Sequence, residues 1–318
     1  MRVFRGIENL PEFKNPVFTT GTFDGVHTGH QVIIRRLNQL AANSNGENII
    51  LTFHPHPRMV LHKDDSNLKL LNTLEEKTSL LSKYGVDNLV VTPFSKEFSQ
   101  LTAEQYVEDF IWKKFYPRKV VMGFNHRFGN NRTGDIELMT AMGKKLGFEV
   151  EEIEAQMVEN ISVSSTKIRN ALTGGEIETA NSLLGHPYTL TGKVVTGEHL
   201  GKKLGFPTAN LKIEDADKLI PANGVYAVIV KVDETNFGGM LNIGFRPTFN
   251  GKKQTIEVHI FDFNEEVYGM NIGVDLVASI RKEMKFNSVD ELIHQLKKDK
   301  EFSLKILRAL KTNKESSF

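Results

Sequence analysis

Cysteine is absent from all 318 residues. That removes disulfides and thiolate metal ligands, and it excludes a small cystine-stapled scaffold. No stretch approaches the roughly 20 apolar residues of a membrane-spanning helix, and Met1–Glu8 lacks the apolar run of a signal peptide. Excess charge is also missing. Lys and Arg number 40 against 39 Asp and Glu, a net charge of +1, so no overall basic field points to nucleic acid. A basic stripe interleaved with aromatics, the mark of an RNA-binding surface, is lacking too. These absences lead to the expectation of a cytoplasmic protein with neither a nucleic-acid nor a membrane partner. With 40% hydrophobic and 25% charged residues, the chain has the composition of a globular protein and the length for two cores.

The hydrophobic rhythm changes part-way along. Up to about residue 185, strand patterns (Val17–Thr20, Asn48–Phe53, Asn88–Pro93, Lys119–Phe124, Phe148–Ile153) alternate with helical ones (Gln31–Ala42, Leu74–Tyr84, Ala103–Phe115, Ile136–Leu146). Thr102 with Gln105 forms a capping-box pattern. Apolar runs such as Leu89-Val90-Val91 fit strands buried on both faces, as in a parallel sheet. This half therefore reads as a doubly wound, Rossmann-like α/β domain over residues 1–184, with ligands expected beyond the C-terminal strand ends.

Residues 185–318 read differently. Strand patterns at Tyr188–Val195, Ala209–Ile213, Val225–Lys231, Gly239–Ile243, Gln254–Phe261 and Gly273–Ile280 follow one another without helices between them. They predict an antiparallel, Greek-key-type β-barrel. A helix capped by Ser288 closes the chain.

The densest signal is Thr20-Gly21-Thr22-Phe23-Asp24-Gly25-Val26-His27-Thr28-Gly29-His30, a strand end, a glycine turn and a helix start. A helix N-terminus offers free N–H groups and the positive dipole end, which suit phosphate. Imidazoles there can donate to phosphoryl oxygens. On spacing alone, His27 and His30 fit a polar helix start as well as a catalytic pair. A zinc site would need further ligands, and the nearest histidines, His54 and His56, are each tied to a proline.

Two more clusters follow. Gly123–Asp135 leaves the fourth strand pattern at the same sheet end, with Asn125 able to read a heterocycle edge and Phe128 able to pack on a ring. Ile161–Arg169 places Ser164, Ser165 and Thr166 at a helix start together with Lys167 and Arg169. Cations are unfavourable beside that dipole end unless an anion is the partner, and arginine can grip phosphate in bidentate fashion.

In the second half, Gly201-Lys202-Lys203-Leu204-Gly205-Phe206-Pro207-Thr208-Ala209-Asn210 joins two strand patterns. Thr208 and Asn210 alternate along an extended segment and so offer two oxygen donors to one side, a set that suits Mg²⁺ with ATP. In Thr255–Asp262, Ile256, Val258 and Ile260 share one face, while Glu257 and His259 share the other.

Taken in order, Gly-x-Phe-Asp-Gly-Val-His-x-Gly-His, Thr52–Pro57, the Arg-Phe-Gly loop, Ser-Ser-Thr-x-Ile-Arg, Gly-Phe-Pro-Thr-Ala-Asn and Glu-Val-His resemble the bacterial bifunctional riboflavin kinase/FMN adenylyltransferase (FAD synthetase) family. The resemblance implies that the first half turns FMN and ATP into FAD and pyrophosphate, and that the barrel phosphorylates riboflavin with ATP and Mg²⁺. It implies catalytic roles for His27, His30 and Glu257. Substrate contacts would come from Gly21, Phe23, Asp24, Asn125, Arg127, Phe128, Ser164, Ser165, Thr166 and Arg169 in the first half. In the second they would come from Gly201, Lys202, Gly205, Pro207, Thr208, Asn210, Asn242 and Arg281, with Thr208 and Asn210 also the metal ligands. Arg246 is a further candidate contact. His126 stands where relatives often carry an aromatic, and Lys202 where many carry arginine. The alternative is an FMN adenylyltransferase whose barrel only senses flavin.

Overall fold

The computed structural model describes residues 1–61, 68–153, 163–197, 201, 204–248 and 251–315. It contains two compact units, Met1–Ser165 and Thr166–Phe318.

The first unit is built on a six-stranded parallel sheet in the order β1-β4-β3-β2-β5-β6. The strands are β1 (Arg2–Arg5), β2 (Val17–Thr20), β3 (Asn48–Phe53), β4 (Asn88–Thr92), β5 (Lys119–Gly123) and β6 (Glu149–Ile153). Alternation along these strands feeds two cores. Phe18, Ile49, Leu51, Val90, Val120 and Met122 face the aromatic-rich helical run 103–115, with Met139 and Met142. Val17, Ile50, Leu89, Val91 and Val121 face Ile34, Leu37 and Leu81. Both faces are therefore covered, as the continuous apolar strands require. The order of strands reverses at β2, which has β3 on one side and β5 on the other. The chain leaving Thr20 thus emerges at the switch point of the sheet, where such folds bind ligands.

The sequence rhythm did not reveal β1. It is only four residues long, carries arginine at both ends, and pairs along a single side with β4 from Arg2↔Asn88 to Arg5↔Val91. The Thr102–Gln105 capping box is present as expected.

The second unit is a closed barrel in the order β10-β11-β8-β7-β12-β9. Its strands are β7 (Tyr188–Val195), β8 (Ala209–Lys212), β9 (Gly224–Val232), β10 (Thr235–Thr248), β11 (Gly251–Ile260) and β12 (Asn271–Lys282). All its pairs are antiparallel. β9, β10 and β11 are sequential neighbours, and β12 returns beside β9, which is Greek-key order. β10 is longer than the Gly239–Ile243 expectation. The helix Val289–Glu315 has Ser288 Oγ accepting from Glu291 N at 3.1 Å. It packs Leu296, Leu304 and Leu307 against Phe206, Met240 and Phe261.

The helices Ser165–Gly174 and Ile177–Leu184 were expected with the first half, yet they pack largely in the second unit. Asn181 is the reason: its Nδ2 donates to Leu276 O at 2.8 Å and its Oδ1 accepts from Tyr188 N at 2.7 Å. Leu172 O likewise accepts from Ala222 N at 3.0 Å. Compact packing thus divides the chain before the 184/185 point that the change of rhythm indicated.

Candidate active sites

The glycine turn after β2 is held in an unusual backbone. Phe23 (φ +47°), Gly25 (φ +87°) and Val26 (φ +41°) all lie in the left-handed region. For a β-branched residue such as Val26 that conformation is strained, and strain of this kind collects at functional sites. Four contacts hold it. Gln31 Nε2 donates to Val26 O at 2.9 Å, and Asp24 Oδ1 accepts from Leu71 N at 2.9 Å. Thr52 Oγ1 and Lys77 Nζ both donate to Thr22 O, at 3.2 and 2.7 Å.

His27 caps the helix Thr28–Asn43, its Nδ1 accepting from His30 N at 3.4 Å. The two imidazoles stack with centroids 3.7 Å apart, and Phe23 lies 5.0 Å from His30. Burial first, then the neighbouring His27 and Lys77, hold the His30 imidazole well below its ordinary value. His30 is therefore neutral at physiological pH, and its Nδ1 is buried with no hydrogen-bond partner among the described residues. A neutral ring can still donate one N–H to a phosphoryl oxygen.

Ser165 Oγ donates to Asp24 O at 3.1 Å, which ties the start of the third motif to the turn. Ser164 is exposed, and Thr166 and Arg169 follow it on the first turns of the helix Ser165–Gly174. The loop after β5 closes on itself. Phe128 N and Gly134 O are bonded at 3.1 Å, and Arg127 Nη1 pairs with Asp135 Oδ2 at 2.7 Å. Phe128 is buried with its ring 5.4 Å from Tyr106. Arg127 and Phe128 are thus engaged within the loop, whereas Asn125 is exposed on it. Burial, with Arg132 nearby, lowers His126 to about 4. Among the described residues no group of three His, Asp or Glu is placed to hold a metal.

In the barrel, Glu257 on β11 lies between two asparagines. It is directly opposite Asn210 on β8 and Asn242 on β10. Opposed residues share a face, so the carboxylate and both amides project to one side. Thr208 Oγ1 donates to Glu257 Oε2 at 3.4 Å. Glycines keep this corner open: a Cβ on Gly197 would meet Asn210 Nδ2 at 2.1 Å, and one on Gly201 would meet Phe206 O at 2.3 Å and Thr208 Oγ1 at 3.2 Å. A threonine hydroxyl, an asparagine amide and a carboxylate around an uncrowded corner are hard oxygen donors of the kind Mg²⁺ takes.

His259 supports this corner. Its Nδ1–H donates to Pro207 O at 2.7 Å, and Phe206 packs edge-on against its ring at 5.4 Å. Pro207 precedes Thr208, so β11 fixes both the base candidate and the segment facing it. Gly205 takes φ +80° with open space around it. Lys202 lies outside the described residues, and so does the side chain of Arg246.

Arg281 has a partner that its local sequence does not announce. Its Nε and Nη2 grip Asp299 of the terminal helix at 2.8 to 3.1 Å, and its Nη1 donates to Lys282 O. It joins the helix to β12.

Comparison with known proteins finds a different family model on each half of the chain. A family model described as FAD synthetase matches residues 10–167, and one described as riboflavin kinase matches 184–307. A bifunctional riboflavin kinase/FMN adenylyltransferase from Listeria monocytogenes is 40% identical over 290 residues, covering 90% of this chain and 91% of that protein. The chain belongs to this bifunctional family. The relative of the same description from Escherichia coli K12 is 36% identical, over 94% of this chain and 96% of its own. A crystal structure of a protein described as a macrolide-efflux protein from Streptococcus pneumoniae is 32% identical, with a TM-score of 0.83, over 95% of this chain and 98% of that one. Among the described residues, no helix here is long and apolar enough to cross a membrane.

Sequence reasoning overlooked Lys77, a buried cation at the family's first motif. A signal was present. Leu74, Lys77 and Leu81 recur at helical spacing, so the lysine occupies a core position of an amphipathic stripe.

Proposed function

We propose that this chain performs two successive steps of flavin cofactor synthesis, phosphorylating riboflavin to FMN and adenylylating FMN to FAD. Motif positions assign the second step to residues 1–184 and the first to 185–318. The observation that carries the reading is the cross-strand placement of Glu257 between Asn210 and Asn242, with the Thr208 hydroxyl 3.4 Å from its carboxylate. A barrel that merely sensed flavin would need no base beside a set of oxygen donors.

In the barrel, Glu257 accepts the proton of the riboflavin 5′-hydroxyl as that oxygen attacks the γ-phosphorus of ATP and ADP departs. Asn242, Gly201, Gly205 and Pro207 contact the substrates, and Lys202, outside the described residues, is assigned to them by its motif position alone. Thr208 and Asn210 would hold Mg²⁺, which supplies neutralisation of phosphate charge.

In the α/β unit, an FMN phosphate oxygen attacks the α-phosphorus of ATP and the bond to the pyrophosphate oxygen breaks. His27 and His30 donate to the charge that builds on the phosphoryl oxygens. Gly21, Phe23 and Asp24 shape the turn that receives the nucleotide. Ser164, Ser165, Thr166 and Arg169 hold the leaving pyrophosphate. Asn125 contacts the flavin side, and Arg127 with Phe128 keeps its loop in shape. The lack of a basic field and of a membrane-crossing helix among the described residues supports a cytoplasmic, small-molecule enzyme.

The test is incubation with riboflavin, ATP and Mg²⁺, with FMN and FAD separated by chromatography. Both products should appear in sequence. FMN without FAD, or neither, would overturn the reading.

A further inference from the structure

Lys77 is a charged side chain with no place in the roles assigned so far. It lies on the helix Leu74–Lys83 and is only 7% exposed. Burying an ammonium is costly, and burial does lower its proton affinity, opposed by the charge of Asp24. A methionine of similar length would serve packing at less cost, so the charge requires another explanation.

Its contacts supply one. The ammonium donates to Thr22 O at 2.7 Å, and Thr52 Oγ1 reaches the same carbonyl at 3.2 Å from β3. Two donors from two elements fix the orientation of one peptide plane. In a trans peptide the carbonyl and the next N–H point in opposite directions. Drawing Thr22 O inward therefore turns the Phe23 N–H to the other side of the plane. That N–H makes no hydrogen bond among the described residues. Phe23 also sits at φ +47°, a conformation that needs support from its surroundings. The plane held by Lys77 opens the turn that carries Asp24, His27 and His30.

We propose that Lys77 is a positioning residue for adenylyl transfer, its ammonium fixing the Thr22–Phe23 peptide so that the turn presents its N–H and its histidines to the phosphate chain. The inference rests on the reading of this turn as the adenylyl-transfer site. The charge has a second consequence. His30 faces His27 from its own helix start and Lys77 from the packed helix, and Asp24 acts on Lys77 from the turn. A cation so placed adds to burial and to His27 in disfavouring a positive charge on His30.

The test uses the full chain with Lys77→Met and Lys77→Gln, the second retaining a donor without the charge. Riboflavin phosphorylation by the same molecules reports on folding. In Lys77→Met, kcat for FMN-to-FAD conversion should fall about tenfold to a hundredfold while phosphorylation keeps its rate. The acid limb of the adenylyl-transfer pH profile should move to higher pH, because a factor that lowers His30 has been removed. Lys77→Gln should recover part of the kcat yet keep the shifted limb, and it carries the test if Lys77→Met does not fold. Addition of His30→Ala to either variant should abolish the shift. An adenylyl-transfer kcat within twofold of the parent, or a lower kcat with an unmoved acid limb, would overturn the proposal. If His30→Ala alone leaves FAD formation intact, the assignment of the turn fails as well; if it impairs FAD formation and the Lys77 variants do not, only the role of Lys77 is lost.

Discussion

Glu257 on β11 and Asn210 on β8 are direct cross-strand partners. Because the ladder fixes their register, the carboxylate and the amide keep their spacing without help from a flexible loop. The Thr208 hydroxyl joins them from the start of β8, at 3.4 Å from Glu257 Oε2. Rigid strands at the centre and glycines at the rim give a corner in which a proton acceptor and oxygen ligands have fixed places while a nucleotide can still enter.

Replacing Glu257→Gln should separate the two activities. The side chain keeps its shape and the ladder its register, but the proton acceptor is gone. Loss of a general base slows a step by about 10² to 10⁴. Chromatography of reactions fed with riboflavin should show little FMN or FAD, while reactions fed with FMN should still yield FAD. Phosphorylation at the parent rate would make Glu257 an ordinary polar strand residue.

His30→Ala should give the opposite pattern. The ring stacks on His27 and stays neutral, so it acts as a fixed donor at the helix start. Removing one preorganised donor to a developing charge costs about 10² to 10³ in rate. FAD formation from supplied FMN should fall by that factor, with riboflavin phosphorylation unchanged. Equal loss of both activities would indicate a folding defect.

Much of this was legible before any coordinates. Helices such as Ile136–Leu146 and strands such as Tyr188–Val195 have the predicted bounds, because their hydrophobic periods match one buried face. The glycine turn and the Glu-Val-His strand stood out through residue type and order. What periodicity could not supply was partnership across the chain. Nothing local in Arg281 announces Asp299, which is eighteen positions on. Asn181 looks like a surface amide until Leu276 and Tyr188 are seen on either side of it. Lys77 was passed over because a lysine on a helix is ordinarily solvated.

Acid should weaken the first unit through two of its half-buried histidines. His30 and His126 are both held below the ordinary value of 6.5, His126 at about 4. The unfolded chain takes up these protons near the ordinary value, whereas the folded unit resists them. Between about pH 6.5 and 4 the unfolded state therefore binds more protons, so stability is complete above that window and falls as pH drops through it. Urea midpoints followed by circular dichroism should decline from pH 7 to 5. His126→Phe, which removes one of the two groups, should flatten the decline; an unchanged slope would take His126 out of the account.

Arg281 and Asp299 offer a direct choice between a structural and a substrate role. Asp299 is 1% exposed and receives the Arg281 fork together with Gln295 Nε2 at 2.8 Å. Arg281→Met would leave a buried carboxylate with only the Gln295 amide as side-chain donor among the described residues. Breaking a buried pair by removing one partner costs about 3–5 kcal/mol, and the remaining amide places this case toward the lower end. The same principle states that exchanging both members for apolar groups is often close to neutral. Arg281→Met with Asp299→Leu should therefore regain much of the lost stability in thermal melts of the barrel. If the arginine only ties the terminal helix to β12, the double variant should also keep the parent KM for riboflavin and ATP. A stable double variant whose KM has risen tenfold or more would return Arg281 to the substrate site, and the ion pair would then be a resting position of a side chain with a second task.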